Sequence, residues 1–388
     1  MSIRVGDVLA PVIPSPSVGT DHFIPSNIGG SFSVSGVDLC IVNSLRRAII
    51  ACVETAAFDT VVPPGGGGGG VRVLENTSVM HNEMLALRVS LVPLCLTPNE
   101  LENFAPGDYQ CTLAVRNTGN EVFDVVSGDF VVRNASGVSF QTERLKRLFP
   151  VDQRSGDSVL LTVLRPNIMC GGIGEAVNIT ATARLGSGRE HARYSPVCSC
   201  YFRYKEPVLD DDSVPDKFDF FVESVNPSMS PYYLVFLGFR FLVRAIIDLS
   251  ADVRAERVSF EDSTVPGGAR SILFPGLDHT LGNLIHGLAY DLWIRRGGKS
   301  RVSFVGYFKR HPLVDDITFK MQLARQDESP EAYSDVLLEG LLYVREHLES
   351  LTLEWIRFCG LKGMGLVAIE MFLTRSYAAT VSGTENTK

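Results

Sequence analysis

A short pattern that occurs twice along the chain constrains the fold more than any other feature. Residues 37–45 read VDLCIVNSL and residues 277–285 read LDHTLGNLI, so each copy places an Asp five residues before an Asn and continues into an apolar helix. Two similar units in one chain are expected to pair about a pseudo-twofold axis and to bury their apolar helix faces against each other. In both copies a strand and then a long amphipathic helix are predicted to follow: 218–225 and 232–249 in the first, 317–323 and 330–358 in the second.

The two copies differ in what separates the first helix from the strand. Residues 84–200 lie between them in the first copy, whereas the second has only a short gap. This block contains short β-branched runs separated by Gly, Asn and Asp turns, which is typical of strands. The predicted strands are 111–115, 130–133, 159–164 and 177–183. The first unit is therefore expected to carry an inserted β-rich domain.

The charge of the chain argues against a protein that wraps a nucleic-acid backbone. It has 36 Lys and Arg against 44 Asp and Glu, a net charge of −8, and only isolated pairs of basic residues. The first twenty residues do not resemble a secretory signal peptide. The apolar segment 232–249 contains Arg240, Arg244 and Asp248, so we interpret it as a helix of a soluble protein and expect no membrane contact.

The eight cysteines predict neither a disulfide framework nor a zinc site. None form a CxxC pair, and Cys198 and Cys200 are the only close pair. Without a signal peptide, a reducing intracellular compartment is expected. Structural zinc usually requires two close pairs of ligands.

Two further motifs resemble phosphate or metal sites but lack the defining residues. Glycines 65–70 would need a following Lys-Ser/Thr to form a phosphate-binding loop, and Val71-Arg72-Val73 follows instead, so we interpret them as a linker. Asp210-Asp211-Asp212 lies in an acidic, proline-bearing loop and is interpreted as a solvated turn, not as a magnesium site.

Several segments, taken in order, resemble the α-subunit family of multisubunit RNA polymerases. DLCIVNSLRRAII (38–50), ENTSVMHNEMLALRVSLVPL (75–94), GREHARYSPVCSCYF (188–202) and FFVESV (220–225) are similar to the third subunit of the eukaryotic nuclear enzyme. LDHTLGNLI (277–285) and VGYFKRHPLVDDITFKMQL (305–323) resemble the small partner, the eleventh subunit. The resemblance covers most of residues 30–358 and implies a fusion of two platform subunits, as in large DNA viruses.

The resemblance implies an α+β fold with two α-subunit-like dimerisation units forming an intramolecular pseudo-dimer. The first unit would be discontinuous and carry the inserted β-rich domain. The cysteine cluster that binds zinc in many cellular third subunits has no counterpart here, so no cofactor is expected. The predicted domains are 1–57 with 188–252, the insert 58–187, the second unit 253–358 and a C-terminal extension 359–388.

The resemblance also turns certain polar residues into candidate partner contacts. Each has a simpler alternative: a solvated helix face for the arginine pair of the first helix, capping for the Asp-His-Thr segment, a loop turn for His-Pro, and a surface ion-pair network for the Glu-His-x-Arg cluster. A metal or acid/base site at His279 and Asn283 lacks a third ligand. The candidates are Asn43, Arg46, Arg47, Arg88, Pro93, Glu190, His191, Arg193, Asp278, His279, Asn283, His311 and Pro312.

The function implied by the resemblance is a non-catalytic assembly platform of a DNA-directed RNA polymerase. Its partners would be the two largest polymerase subunits and small polymerase subunits, with little or no direct DNA contact. The implied location is a virion and a host cytoplasmic viral factory, with the host nucleus as an alternative. The competing hypotheses are a stand-alone protein-interaction module and a Cys- or His-dependent hydrolase. The hydrolase is disfavoured because no G-x-S-x-G nucleophile motif is present.

Overall fold

The computed structural model describes residues 29–60, 70–152, 155–166, 174–205, 216–258, 260–261, 268–295, 301–325 and 329–360. The predictions for glycines 65–69, for Cys170, for Asp210–Asp212, for the extension after 360 and for residues 1–28 of an irregular arm expected over 1–30 lie outside these residues. Gly29 and Gly30 of that arm, and Gly70 of the predicted linker, lie instead in strands.

The described residues form fourteen strands and seven α-helices. The strands are β1 (Gly29–Ser35), β2 (Glu54–Phe58), β3 (Gly70–Asn76), β4 (Gln110–Arg116), β5 (Phe123–Val126), β6 (Val131–Arg133), β7 (Leu160–Leu164), β8 (Ala176–Ser187), β9 (Val197–Tyr204), β10 (Lys217–Ser224), β11 (Phe260–Glu261), β12 (Arg270–Pro275), β13 (Val302–Phe308) and β14 (Asp316–Leu323). The helices are α1 (Leu39–Ala51), α2 (Asn82–Ser90), α3 (Pro98–Glu102), α4 (Thr142–Leu148), α5 (Pro231–Arg254), α6 (His279–Tyr290) and α7 (Pro330–Gly360).

The chain divides into two compact units. Unit 1 takes Met1–Ile50, Ser199–Val222 and Pro231–Lys388, and unit 2 takes Ala51–Cys198 and Glu223–Ser230. Each unit is thus assembled from more than one segment of the chain. The domain boundaries predicted from the sequence stay a prediction.

Unit 1 contains two sets of elements, which we call the first and second modules; their order is the same except for one additional strand, β11, at the start of the second. The first module consists of β1, α1, β9, β10 and α5, and its sheet has the order β1-β10-β9. The second module consists of β11 to β14, α6 and α7, and its sheet has the order β11-β12-β14-β13. In each module the strand before the short helix lies beside the strand before the long helix.

The long helices of the two modules, α5 and α7, pack against each other. The apolar stripe predicted along the last helix is buried as expected: Leu337, Leu341, Val344, Leu348, Leu351 and Trp355. A near-heptad spacing gives such a stripe to one side of a helix, where a second helix can cover it. This contact ties the two modules into one unit.

Trp355 extends this contact into the sheet of the first module. Its ring lies 4.5 Å from Phe32 of β1, measured between ring centroids, and its indole N–H donates to the carbonyl of Tyr232 at 3.0 Å. Phe32 in turn stacks on Phe220 of β10. A residue of α7 therefore completes the core of the first module.

Unit 2 is built around β8, a twelve-residue strand whose side chains alternate between the core and the other face. β8 pairs antiparallel with β2, β3 and β4, and β4 pairs with β6. β5 and β7 form a separate antiparallel pair. The four strands predicted in this block are confirmed, as β4, β6, β7 and β8.

The sequence interpretation failed at several places. The helices α2, α3 and α4 were not predicted inside the β-rich block; α2 has apolar residues on its buried side (Leu85, Val89) and also on its exposed side (Met84, Leu87), which hides the helical period. A short run of alternating apolar residues predicts a strand over 257–260, but β11 begins only at Phe260. The backbone N–H of Arg257 instead bonds the carbonyl of Asp252 and closes the end of α5.

Candidate functional site

The two Asp residues of the repeated pattern start their helices in the same way. Asp38 Oδ1 accepts a hydrogen bond from the backbone N–H of Cys40 at 2.8 Å, and Asp278 Oδ1 accepts one from Thr280 at 2.8 Å. A carboxylate here satisfies a helix N–H that has no partner within the helix and carries a charge favoured at a helix N-terminus. The capping predicted for Asp278 is thereby explained, and Asp38 has the same geometry.

Arg47 joins the first helix to the cap of the second. Its Nη2 lies 3.3 Å from Asp278 Oδ2, and its Nε donates to Thr280 Oγ1 at 2.9 Å. Ser44, one turn earlier in α1, donates from its buried hydroxyl to the Thr280 carbonyl at 2.8 Å. A charged and a neutral contact thus connect α1 to the first turn of α6.

A weaker contact runs in the opposite direction, from the second module to the cap of the first. Arg295 lies just beyond α6, at the end of a π-helical turn, Asp291–Arg295. Its Nη1 is 4.0 Å from Asp38 Oδ2 and 3.4 Å from Asp291 Oδ1. Each capping carboxylate is therefore approached by an arginine from the other module.

Asn43 and Arg46 interact with each other within α1. The Arg46 guanidinium donates to Asn43 Oδ1 through Nε at 3.2 Å and through Nη2 at 3.0 Å. The pair orients the guanidinium along the helix surface. Their contact with a partner protein stays a prediction.

His279 and Asn283 lie on successive turns of α6, and the ring of His279 lies beside that of Tyr307. His279 Nδ1 is 3.3 Å from the Tyr307 hydroxyl, and the His286 ring lies 5.7 Å from that of Tyr307. Burial lowers the pKa of His286 below its ordinary value, opposed by a hydrogen bond to the backbone of Val305. In the part of the chain that the structure describes, no three His, Cys, Asp or Glu side chains are grouped as a metal site would require.

His311 and Pro312 lie in the turn between β13 and β14. The imidazole Nδ1 of His311 accepts from the backbone N–H of Leu313 at 3.1 Å, and its carbonyl accepts from Val314 at 3.2 Å. These bonds fold the turn so that the Leu313 side chain is 88% exposed. Leu313 was not among the candidates, and a single exposed apolar residue in a turn does not by itself indicate a site.

Arg88 and Pro93 belong to unit 2. Arg88 Nη2 donates to the carbonyl of Leu160 in β7 at 2.7 Å, and Pro93 is half-buried. Around Arg88, α2 exposes the apolar side chains of Met84 and Leu87, and Leu91, directly after the helix, is also exposed. These exposed residues were not among the candidates, because the pattern of α2 does not distinguish its inner and outer faces.

Glu190 and Arg193, on either side of His191 in the chain, take part in an ion-pair network inside unit 2. The Arg193 side chain is only 4% exposed; it donates to the Phe58 carbonyl at 3.2 Å and pairs with Asp59. Glu190 accepts from the backbone N–H of Ser187 and pairs with Arg184, and these bonds lower its pKa. The His191 ring caps a 3-10 turn. These contacts within the unit explain the burial of the Arg193 side chain, and contact with another protein is not needed to explain it.

Among the helices that the structure describes, none has an apolar run long enough to cross a bilayer. This finding applies in particular to α5, whose sequence is the most apolar of the long helices.

Comparison with known proteins identifies the family. The model of the RNA polymerase Rpb3/Rpb11 dimerisation domain matches residues 31–245, more than half of the chain. The chain is 31% identical to DNA-directed RNA polymerase subunit Rpo3 of Thermococcus kodakarensis over 190 residues, covering 48% of this chain and 59% of that protein. It is 32% identical to Rpo3 of Natronomonas pharaonis over 177 residues, covering 46% and 56%.

A eukaryotic relative matches to a similar extent. DNA-directed RNA polymerase II subunit rpb3 of Dictyostelium discoideum is 26% identical over 190 residues, covering 46% of this chain and 54% of that protein. The chain thus spans between half and three-fifths of the length of these three relatives. The repeated helix caps, the shared strand order and the match over residues 31–245 lead to one conclusion: this chain belongs to the RNA polymerase Rpb3/Rpb11 dimerisation domain family.

Proposed function

We propose that this chain is a non-catalytic assembly subunit of a DNA-directed RNA polymerase, with its two modules acting as the two partners of an Rpb3/Rpb11 dimer joined in one chain. Family membership and relatives named as polymerase subunits support the first part. The observation that carries the second part is that each module places an Asp at the start of its short helix and an Arg of the other module beside it.

The packing of unit 1 supports pairing between the modules. The long helices α5 and α7 bury their apolar stripes against each other, as the dimerising faces of two subunits would. Trp355 of the second module fills the core of the first. When the two partners of a dimer are covalently joined, their pairing is intramolecular and does not require two separate molecules to meet. Each module is then present at a high effective concentration beside the other.

Unit 2 takes the place of the inserted domain in this proposal. Most of it, residues 51–198, lies in the chain between α1 and β9 of the first module. Its exposed arginine and apolar side chains on α2 make it the surface on which a large subunit would dock. The two largest subunits and small polymerase subunits are the proposed partners, and a net charge of −8 favours protein contacts over DNA contacts. The viral source and the virion or factory location stay predictions from the resemblance.

The proposal is tested by purifying the tagged full chain from the cells that produce it and identifying what comes with it. The proposed function predicts two very large polymerase subunits in stable association. The variant Arg46→Glu plus Arg47→Glu should lose that association, because it reverses the charge that faces Asp278. The matched control Arg240→Glu plus Arg244→Glu reverses two exposed charges on α5 of the same module. Recovery of the unmodified chain alone would favour a stand-alone interaction module.

A further inference from the structure

The two modules have different residues at one corresponding position of their short helices. Arg47 is the ninth residue after the capping Asp38, and Gly287 is the ninth after the capping Asp278. Arg47 reaches Asp278 and Thr280 at the start of α6. Gly287 faces Asp38 and Cys40 at the start of α1. The corresponding positions of the two short helices therefore contact the start of the other helix in both modules. Arg47 of the first module makes this contact with a long side chain, whereas Gly287 of the second has no side chain.

The contact at Gly287 has no room for a side chain. A Cβ atom added to Gly287 would lie 2.7 Å from Cys40 Sγ and 2.9 Å from Cys40 Cβ, distances that real Cβ atoms essentially never show. Cys40 is 4% exposed and belongs to α1. The Sγ atom could rotate away, but Cys40 Cβ is fixed to the backbone of α1, so the clash with it could be relieved only by moving one helix away from the other.

The opposite contact accepts a long side chain. The Arg47 guanidinium passes alongside the Thr280 hydroxyl at 2.9 Å and reaches the Asp278 carboxylate, with 38% of its side chain exposed. The two short helices thus leave no space for a side chain beside Cys40 but leave space for an arginine beside Thr280. A glycine at position 287 cannot offer Asp38 the positive charge that Arg47 offers Asp278. Arg295 approaches the Asp38 carboxylate instead.

This asymmetry distinguishes the observed pair from a pair of identical modules. Two first modules from separate chains would each present Arg47 to the Cys40 of the other, where even a Cβ does not fit. Two second modules would each present Gly287 to Thr280, leaving the space of the arginine empty and removing its bond to Asp278. We propose that the close contact of Gly287 with Cys40 selects the second module as the partner of the first, against the first module of another copy. This inference rests on the proposed function, in which the modules form a dimer-like pair.

The test uses the full chain and the reactivity of two buried cysteines. Cys40 reports on the contact between modules, and Cys111, buried in the core of unit 2, reports on the unfolding of that unit. Labelling of each by iodoacetamide is followed over time by peptide mass spectrometry. Gly287→Ala adds the clashing Cβ, and Gly287→Arg reproduces within one chain the contact of two first modules.

Gly282→Ala is the matched control. It makes the same substitution in the same helix, and its Cβ would lie 2.6 Å from Ile317 and 2.8 Å from Tyr307. Both neighbours belong to the second module itself, so this variant strains α6 without touching the contact between modules. Both alanine variants are expected to lower the melting temperature by several degrees.

The proposal predicts slow labelling of both cysteines in the unmodified chain. Gly287→Ala should speed the labelling of Cys40 by about tenfold or more, and Gly287→Arg should speed it further, with Cys111 unchanged. Gly282→Ala should leave Cys40 protected. Continued protection of Cys40 in Gly287→Arg, or an equal rise in Gly282→Ala, would overturn the proposal. If Cys111 also becomes reactive in Gly287→Arg, that variant has unfolded more widely. The labelling of Cys40 in Gly287→Ala then tests the proposal.

Failure of the underlying function gives a different result. If Cys40 of the unmodified chain is labelled as fast as a free thiol while Cys111 stays protected, the modules are not paired at all. In that case the dimer-like pair of the proposed function is wrong, whatever the variants do.

Discussion

The carboxylate of Asp278 makes two bonds at once: one oxygen caps α6 through the N–H of Thr280, and the other lies 3.3 Å from the guanidinium of Arg47 in α1. The start of a helix in one module and the contact with the other module therefore depend on the same side chain. Such a link makes folding of the second module and its pairing with the first mutually supportive.

Asp278→Ala should lower the free energy of unfolding of unit 1 by about 1–2 kcal/mol, because it removes both the cap and the partly exposed ion pair. Asp278→Asn can still cap the helix and should cost less. The only two tryptophans, Trp293 and Trp355, both lie in unit 1, so denaturation followed by tryptophan fluorescence reports on that unit. An equal cost for both variants would show that the charge, and not the cap, dominates.

Arg47→Ala, combined with Asp278→Ala in a double-mutant cycle, should give a coupling energy of about 0.5–1 kcal/mol. The value is modest because 38% of the Arg47 side chain is exposed to solvent, which screens the pair. Raising the salt concentration should reduce it. A coupling energy of zero at low salt would show that this ion pair does not contribute to stability.

Trp355→Ala should cost about 3–5 kcal/mol, since it deletes a large buried ring and leaves a cavity between α7 and β1. Trp355→Phe keeps much of the packing but loses the bond to the Tyr232 carbonyl, so it should cost less. The remaining Trp293 serves as the fluorescence probe in both variants. A cost below about 1 kcal/mol for Trp355→Ala would mean that this core is not formed as described.

Glu256→Gly should stabilise the chain by about 0.5–1 kcal/mol. Glu256 has φ 53°, in the left-handed region, two residues after the end of α5. Its N–H bonds the Val253 carbonyl and that of Arg257 bonds Asp252, the pattern that glycine usually completes at a helix end. Glu256→Ala keeps the Cβ and should be close to neutral. Equal melting temperatures for the glycine and alanine variants would contradict this reasoning.

His286 should make the stability of unit 1 depend on pH. Burial lowers its pKa in the folded state, so the unfolded chain binds the proton more readily. Stability is then fully present above the ordinary histidine value of about 6.5 and is lost as pH falls below it. Denaturation midpoints followed by tryptophan fluorescence should fall across this range, and less so in His286→Gln. An identical pH profile in the variant would assign the dependence to other groups.

The helices of unit 1 and several of its strands were predictable from sequence, but β1 and β9 were not predicted. The stripe from Leu337 to Trp355 has a regular helical spacing, and the Asp-x4-Asn pattern marks the start of both short helices. The observed α1, α5, α6 and α7 lie close to the helices predicted over 37–53, 232–249, 280–294 and 330–358, although α5 continues to Arg254 and α6 ends at Tyr290 before a π-helical turn. Local patterns suffice where one face of an element is buried and the other is solvated.

The site was less predictable, because its contacts join residues far apart in the chain. Nothing near Arg47 indicates that its partner is Asp278, 231 residues later. Nor does the sequence around Gly287 show that Cys40 occupies the space of its side chain. Arg193 was expected to face a partner, and its burial depends on how β2 and the turn after β8 meet. Such pairings follow from tertiary packing, which single-sequence patterns do not contain.

The most direct test of the account is the stoichiometry of the native complex. A polymerase isolated through a tag on this chain and weighed intact by native mass spectrometry should contain one copy of the chain with the two largest subunits, because one chain supplies both modules of the pair. Two copies per complex would contradict pairing within a single chain, and a chain isolated without large subunits would contradict the assembly function.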